Sequence, residues 1–276
     1  MLMARERARA LGLETLAILE ARAYRTPAGR TVALGERIDR ARAGTRSYTP
    51  DDPVPATPPR HPSPRVTVEN RTTLDAARGL FDEGLRPAAL NFASGVATGG
   101  GWLTGSRAQE ESLFRSSALH ACLDGDPMYA YHRWQRSRMR SSWTVYTPDV
   151  PVFRTDDGAL LDEPWTCSFL TCSAVEAHRL DTGDDVGRRA IAEAMAVRID
   201  RVLSIAAAHG QDTLVLGAWG CGAFGNDPAT IAALFRDAIA GRHAGAFAAI
   251  VFAITDWSDG RRFLGPFADA FGVPRT

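Results

Sequence analysis

Asn91-Phe-Ala-Ser-Gly-Val-Ala-Thr-Gly-Gly-Gly101 is an apolar strand end running into three glycines, and seven residues later Gln109-Glu110-Glu111 opens a helical pattern. Gly99, Gly100 and Gly101 free the backbone for positive φ and let another molecule lie directly on its N–H groups. Ser106-Arg-Ala-Gln109 reads as a capping box, with Ser106 at the N-cap and Gln109 at N3, which puts Glu110 and Glu111 in the first turn of a helix. Leu113, Phe114, Ala118, Leu119, Cys122 and Leu123 then recur at near-helical spacing and give that helix a buried face. Two carboxylates are thereby held beside a glycine loop.

Outward from this stretch the elements alternate. A strand at 66–70, a helix at 72–84 and a strand at 87–93 precede the glycine loop, and a helix at 107–123 follows it. Ser142 to Tyr146 and Trp165 to Thr171 read as strands around a turn at Asp156-Asp-Gly158. A long helix at 185–208 stops at Gly210, then strand 213–217, helix 228–240, strand 247–254 and helix 259–270 close the chain. Such alternation predicts α/β layers on a parallel or mixed sheet.

Before this domain, residues 4–24 form an amphipathic helix and Thr31 to Leu34 an extended segment. Seven prolines between Tyr48 and Arg65 deny both helix and central strand. The stretch is either a linker or a loop wrapped over the core. We therefore expect an N-terminal helical extension with a Pro-rich linker at 1–64 and a catalytic domain at 65–276.

Composition narrows the chemistry. Thirty-two basic and 32 acidic residues leave no net charge, so no global footprint for nucleic acid or an anionic membrane exists. Every basic residue is Arg. Schiff-base lysine chemistry and a P-loop lysine are excluded, so phosphate binding must rest on Arg, backbone N–H groups and helix ends. Cys122, Cys167, Cys172 and Cys221 form no Cys-x-x-Cys pair and read as buried thiols of a reducing cytosol. No apolar run reaches membrane-span length, and the six histidines lack metal-ligand spacing, so neither membrane, metal nor cofactor is expected.

Gly217-Ala-Trp-Gly-Cys-Gly-Ala-Phe-Gly-Asn-Asp-Pro228 begins where the apolar strand Thr213-Leu-Val-Leu216 ends, and Asp227-Pro228 reads as N-cap and N1 of the next helix. Exposed N–H groups at such a junction suit a diphosphate, although glycine turns here are common without one. Phe224 is a large ring inside that loop, which must pack under it or against a ligand sugar. Tyr129-Ala-Tyr-His-Arg-Trp134, followed by Arg136, Arg138 and Arg140, reads either as a polyanion-binding surface or as an ordinary solvated helix.

Gly-Gly-Gly followed by Gln-Glu-Glu resembles the signature of the poly(ADP-ribose) glycohydrolases, and Asn-Phe-Ala-Ser before it resembles their short bacterial branch. Tyr146-Thr-Pro-Asp-Val-Pro-Val-Phe-Arg154, the Gly217–Pro228 loop and Val251-Phe-Ala-Ile-Thr-Asp256 are also similar to that family. The resemblance implies a macrodomain-like three-layer α/β/α fold with a mixed sheet, and hydrolysis of ribose–ribose bonds from the free terminus of ADP-ribose polymers. It further implies Glu111 as the acid/base and Glu110 as the holder of ribose hydroxyls, with Phe224 positioning the terminal ribose.

On that reading the ligand contacts Asn91, Ser94, Gly99, Gly100, Gly101 and Gln109 on one side. Gly220, Gly222, Ala223, Phe224, Gly225 and Asn226 cradle the diphosphate on the other, and Phe252 either neighbours the adenine or packs as an ordinary strand residue. A carboxyl that donates a proton must be raised towards ~6 from ~4.3 by burial and its charged neighbour, against the pull of the helix dipole. ADP-ribosylated proteins would carry the polymer to a monomeric enzyme with no stable nucleic-acid partner. A hydrolase of single ADP-ribose units and a non-catalytic ADP-ribose reader remain as alternatives.

Overall fold

A computed structural model describes residues 3–53, 59–180 and 183–274. In chain order the elements are α1 (Arg5–Ala21), β1 (Ala23–Arg25), β2 (Thr31–Ala33), α2 (Gly35–Gly44), β3 (Arg46–Tyr48), β4 (Arg65–Glu69) and α3 (Thr73–Asp82). Then come β5 (Pro87–Phe92), α4 (Gln109–Ser116), α5 (Leu119–Leu123), α6 (Pro127–Gln135) and the long hairpin of β6 (Thr144–Arg154) and β7 (Leu160–Cys172). The chain closes with α7 (Asp185–Ala208), β8 (Thr213–Leu216), α8 (Pro228–Ala240), β9 (Ala249–Ala253) and α9 (Leu264–Phe271).

The central sheet runs β3-β6-β7-β5-β8-β9-β4. β7, β5, β8, β9 and β4 are mutually parallel, β6 runs against them, and the edge strand β3, antiparallel to β6, runs in their direction again. Alternate residues of each strand enter different cores: Ala89, Phe169, Val215 and Val251 face the layer of α1 to α6, whereas Leu90, Leu170, Leu214 and Phe252 face α7 to α9. Burial on both faces explains why these strands read as continuous apolar runs. The expected three-layer α/β/α architecture with a mixed sheet is what forms.

Boundaries held where a cap is written into the sequence. Asp184 accepts from Gly187 N–H at α7 and Asp227 from Thr230 N–H at α8, with Pro228 in the first turn. Elsewhere the chain differs from expectation. The helix expected at 107–123 is two, because Ser117 is extended and Ala118 N–H bonds to Pro151 O of β6, which breaks the helical ladder. The hairpin strands are longer than expected, since Pro148 falls at an irregularity between Thr147 and Val150 where no ladder bond is lost. α9 starts late because the Asp256 carboxylate captures the N–H groups of Ser258, Phe263 and Leu264 in a loop.

The described part of the first 64 residues is tied to the sheet. β3 is an edge strand paired with β6, and α1 bonds to α4 through Thr15 Oγ1 and Arg115 O at 2.6 Å. Pro55 and Pro58 of the Pro-rich stretch lie outside the described residues. The flanks on either side are wrapped onto the core: Arg60 and His61 N–H both reach Gly245 O, and Arg201 reaches Asp52 O.

Candidate active site

β5 and β8 are parallel neighbours, so the two glycine loops that follow them emerge side by side at one end of the sheet. That end is where open α/β sheets place ligands. The loop 93–108 carries the glycines and delivers α4, whose first turn presents Glu110 and Glu111.

Both carboxylates are buried, at 4% and 7% exposure, and each has one oxygen anchored on the loop. Ser94 N–H donates to Glu110 Oε2 at 2.8 Å, and Gly101 N–H donates to Glu111 Oε1 at 3.0 Å. Oε1 of Glu110, Oε2 of Glu111 and Oδ1 of Asn91 are buried with no hydrogen-bond partner among the described residues. Native proteins seldom leave such atoms unpaired away from functional sites. Burial pushes the Glu110 carboxyl up to about 8, with the negative charge of Glu111 adding to the rise, and the Ser94 hydrogen bond only partly offsets them. Desolvation thus outweighs the hydrogen bonds that favour the charged form, and Glu110 keeps its proton at neutral pH.

The triple glycine works differently from the expectation. Gly100 N–H bonds to Ala97 O and Gly101 N–H to Glu111, so these groups are spent within the chain rather than offered to a ligand. What glycine supplies is room: at Gly100, with φ +58°, a Cβ would overlap the Glu111 carboxylate. Gln109 is also reassigned. It is the first residue of α4, with Ala108 rather than Ser106 as the N-cap, so no capping box forms. Its Oε1 accepts from Phe92 N–H at 3.0 Å, and its Nε2 donates to Leu90 O at 2.7 Å and Thr73 Oγ1 at 3.1 Å. Both ends of the amide are taken, so Gln109 braces the helix start against the end of β5.

Across the crevice, Gly222, Ala223 and Gly225 are exposed and Phe224 is half-buried. Among the described residues the N–H groups of Gly222, Ala223 and Phe224 have no acceptor, while those of Gly225 and Asn226 bond inside the loop. Gly220 takes φ +74°, and a Cβ there would stand 2.6 Å from Asn226 Nδ2. Asn226 is buried beneath the loop, donating to Val175 O at 2.8 Å and Gly220 O at 3.1 Å, and so shapes the cradle rather than reaching into it. Phe252 is corrected more sharply. It is fully buried against Phe235, Phe267 and Phe271 of α8 and α9, because its place on β9 turns it to the core and away from the strand ends.

His132 on α6 is a site residue that the spacing did not reveal. It is 37 positions from Gly95, yet its Nδ1–H donates to Gly95 O at 3.0 Å and its Nε2 accepts from Ser141 N–H at 3.2 Å. Burial pulls this imidazole down to about 4, so it is neutral and pins the loop next to Ser94. No group of His, Cys, Asp and Glu among the described residues could hold a metal ion.

Comparison with known proteins fits this geometry. Residues 13–155 match the family model described as microbial-type PARG, catalytic domain. The poly(ADP-ribose) glycohydrolase of Thermomonospora curvata superposes with a TM-score of 0.90 at 41% identity, over 96% of this chain and 100% of that one. Its complex with the inhibitor ADP-HPD superposes at 0.87 and 40% identity, over 96% and 99% of the two chains. The Deinococcus radiodurans enzyme in complex with ADP-ribose superposes at 0.76 and 36% identity, over 85% and 96%. No curated protein sequence matches. With a matching catalytic-domain model over half its length and such likeness over nearly all of it, the chain belongs to the microbial-type poly(ADP-ribose) glycohydrolase family.

Proposed function

We propose that the protein is a glycosidase that hydrolyses ribose–ribose O-glycosidic bonds of ADP-ribose polymers and releases ADP-ribose. The observation that carries this reading is the pair of adjacent buried carboxylates, each with one oxygen fixed by a loop N–H and one oxygen unpartnered, at the strand end next to a second loop with free N–H groups. The diphosphate of the terminal unit would lie on the N–H groups of 222–224, with its distal ribose between Phe224 and Ser94.

In the proposed reaction Glu111 gives its proton to the 2′-oxygen of the departing ribose as the glycosidic bond breaks, leaving an oxocarbenium-like centre. The Glu111 carboxylate then takes a proton from water as that water adds to the anomeric carbon, which restores the starting acid. On this reading no second carboxylate apart from the pair acts as a nucleophile, in contrast to the usual two-carboxylate arrangement. Glu110, protonated up to about 8, can donate a hydrogen bond to a ribose hydroxyl. Asn91, Gly99, Gly100 and Gly101 support the carboxylates rather than touch the diphosphate.

We further infer attack at the free terminus, on polymer carried by ADP-ribosylated proteins, by a cytoplasmic monomer. The four cysteines, all free and buried, support a reducing compartment, and no described helix is long and apolar enough to cross a membrane. Time courses on long polymer test the substrate and the mode together. ADP-ribose released from the outset is expected; early mid-length oligomers would contradict terminal attack, and turnover confined to mono-ADP-ribosylated protein or DNA would overturn the substrate.

A further inference from the structure

The C-terminal half of α6 is an aromatic and basic platform that the reaction described above does not use. Trp134 is 79% exposed, the most exposed large apolar side chain among the described residues. It rests on Tyr131, ring centroids 6.2 Å apart, which packs in turn on the buried Trp143 at 5.2 Å. Trp143 is fixed by its indole N–H to Ser47 Oγ at 2.7 Å, and Tyr131 receives Gln135 Nε2 at 3.1 Å. The outer ring therefore ends a ladder of three rings that leads from solvent to the core.

Charge around that ring has one sign. From Pro127 to Arg140 there are four arginines and no carboxylate. Arg136 makes no side-chain hydrogen bond or ion pair among the described residues and is exposed at the C-cap of the helix, two positions after Trp134. Arg138 and the buried Arg140 share Glu176 with Arg179, so the four arginines of this segment have one carboxylate among their ion pairs. Flat aromatic faces among arginines are what flexible chains of bases and phosphates bind, by stacking and by charge.

The platform is also fastened to the catalytic loop. His132 holds Gly95 O at 3.0 Å and Arg133 Nη1 donates to Val96 O at 2.8 Å, in the loop whose other end seats Glu110 and Glu111. On its far side the same segment meets the diphosphate loop, through Glu176 N–H to Arg138 O and His178 N–H to Phe224 O. The end of α6 is thereby fastened to residues 95 and 96, next to Ser94, whose N–H holds Glu110.

We propose that Trp134, with Arg136, forms an outer subsite for the ADP-ribose unit on the leaving side of the scissile bond, adenine on the indole and diphosphate on the guanidinium. This rests on the polymer hydrolase reading above and extends it to the part of the substrate that is not released.

Binding of size-fractionated ADP-ribose polymer, measured beside ADP-ribose and a single-stranded RNA of matched length, tests the subsite without requiring turnover. Trp134→Ala and Arg136→Glu should each weaken polymer binding about tenfold. Affinity for ADP-ribose should not change, and the salt dependence of polymer binding should flatten in Arg136→Glu. Unchanged polymer affinity, or an equal loss for ADP-ribose, would overturn the subsite. RNA bound as tightly as polymer and weakened in step would make the surface a general nucleic-acid platform and overturn it too. Failure of wild type to cleave polymer that it binds would count against the hydrolase reading alone.

Discussion

The Glu111 carboxylate lies where a side chain on Gly100 would begin, so that a Cβ at position 100 and Oε1 of Glu111 cannot coexist. The glycine run is thus a seat for the acid, and its conformation is part of the catalytic geometry. Gly100→Ala should expel the carboxylate from its Gly101 N–H bond and also strain a left-handed backbone by roughly 1–2 kcal/mol. Turnover should fall by ~10²-fold or more, with a lowered Tm but a folded chain. A Gly100→Ala protein with near wild-type kcat/KM would show that the carboxylate position does not matter.

Glu110 gives the site a pH signature. Its carboxyl is held up at about 8 in the folded chain against an ordinary 4.5, so the native state binds this proton more tightly than the unfolded chain does. The stability this contributes is complete below 4.5 and is lost as pH rises through 8, which makes that loss on the order of 1 kcal/mol or more. Glu110→Gln stays neutral throughout, so the fall in Tm between pH 6 and 9 should be shallower than in wild type. The basic limb of the rate profile should also shift or vanish with it. Superimposable Tm profiles would mean that Glu110 is ionised at neutral pH.

The two phenylalanines once placed on the ligand should separate cleanly. Phe224 is half-buried at the rim of the crevice, whereas Phe252 is fully enclosed by three aromatic rings. Phe224→Ala should keep its melting temperature within a few degrees and lose ADP-ribose affinity or turnover. Phe252→Ala should lose about 3–5 kcal/mol of stability through the cavity it leaves. Isothermal titration beside thermal melts reads both; a Phe224→Ala protein that binds and turns over as wild type would remove it from the site.

Much of this was legible because it is local in sequence. Asp227-Pro228 announces a helix start, and the carboxylate pair follows its glycine loop within a few residues. Two parallel strands ending in glycine loops implied a shared crevice, and the β5–β8 pairing supplies it. The misreadings share one cause. Gln109, Asn226 and Phe252 sit in motif positions, but which way each points depends on partners far along the chain: Thr73 for Gln109, Val175 for Asn226, and α9 for Phe252. His132 was invisible for the same reason, since no pattern in the sequence joins it to Gly95. The split of α4 from α5 likewise depends on the carbonyl of Pro151 in a strand formed later.

Glu111 decides whether the crevice catalyses or only binds. A reader of ADP-ribose needs the loops and sugar contacts but no carboxyl that changes protonation at each turnover. Glu111→Gln keeps the size of the side chain and can still hydrogen-bond at the loop while removing proton transfer, a loss of at least ~10²-fold in rate where general acid catalysis matters. Hydrolysis of ADP-ribose polymer by Glu111→Gln, measured beside its affinity for ADP-ribose, is the direct test. The account predicts wild-type affinity with hydrolysis reduced by that factor or more; hydrolysis within a few-fold of wild type would contradict it.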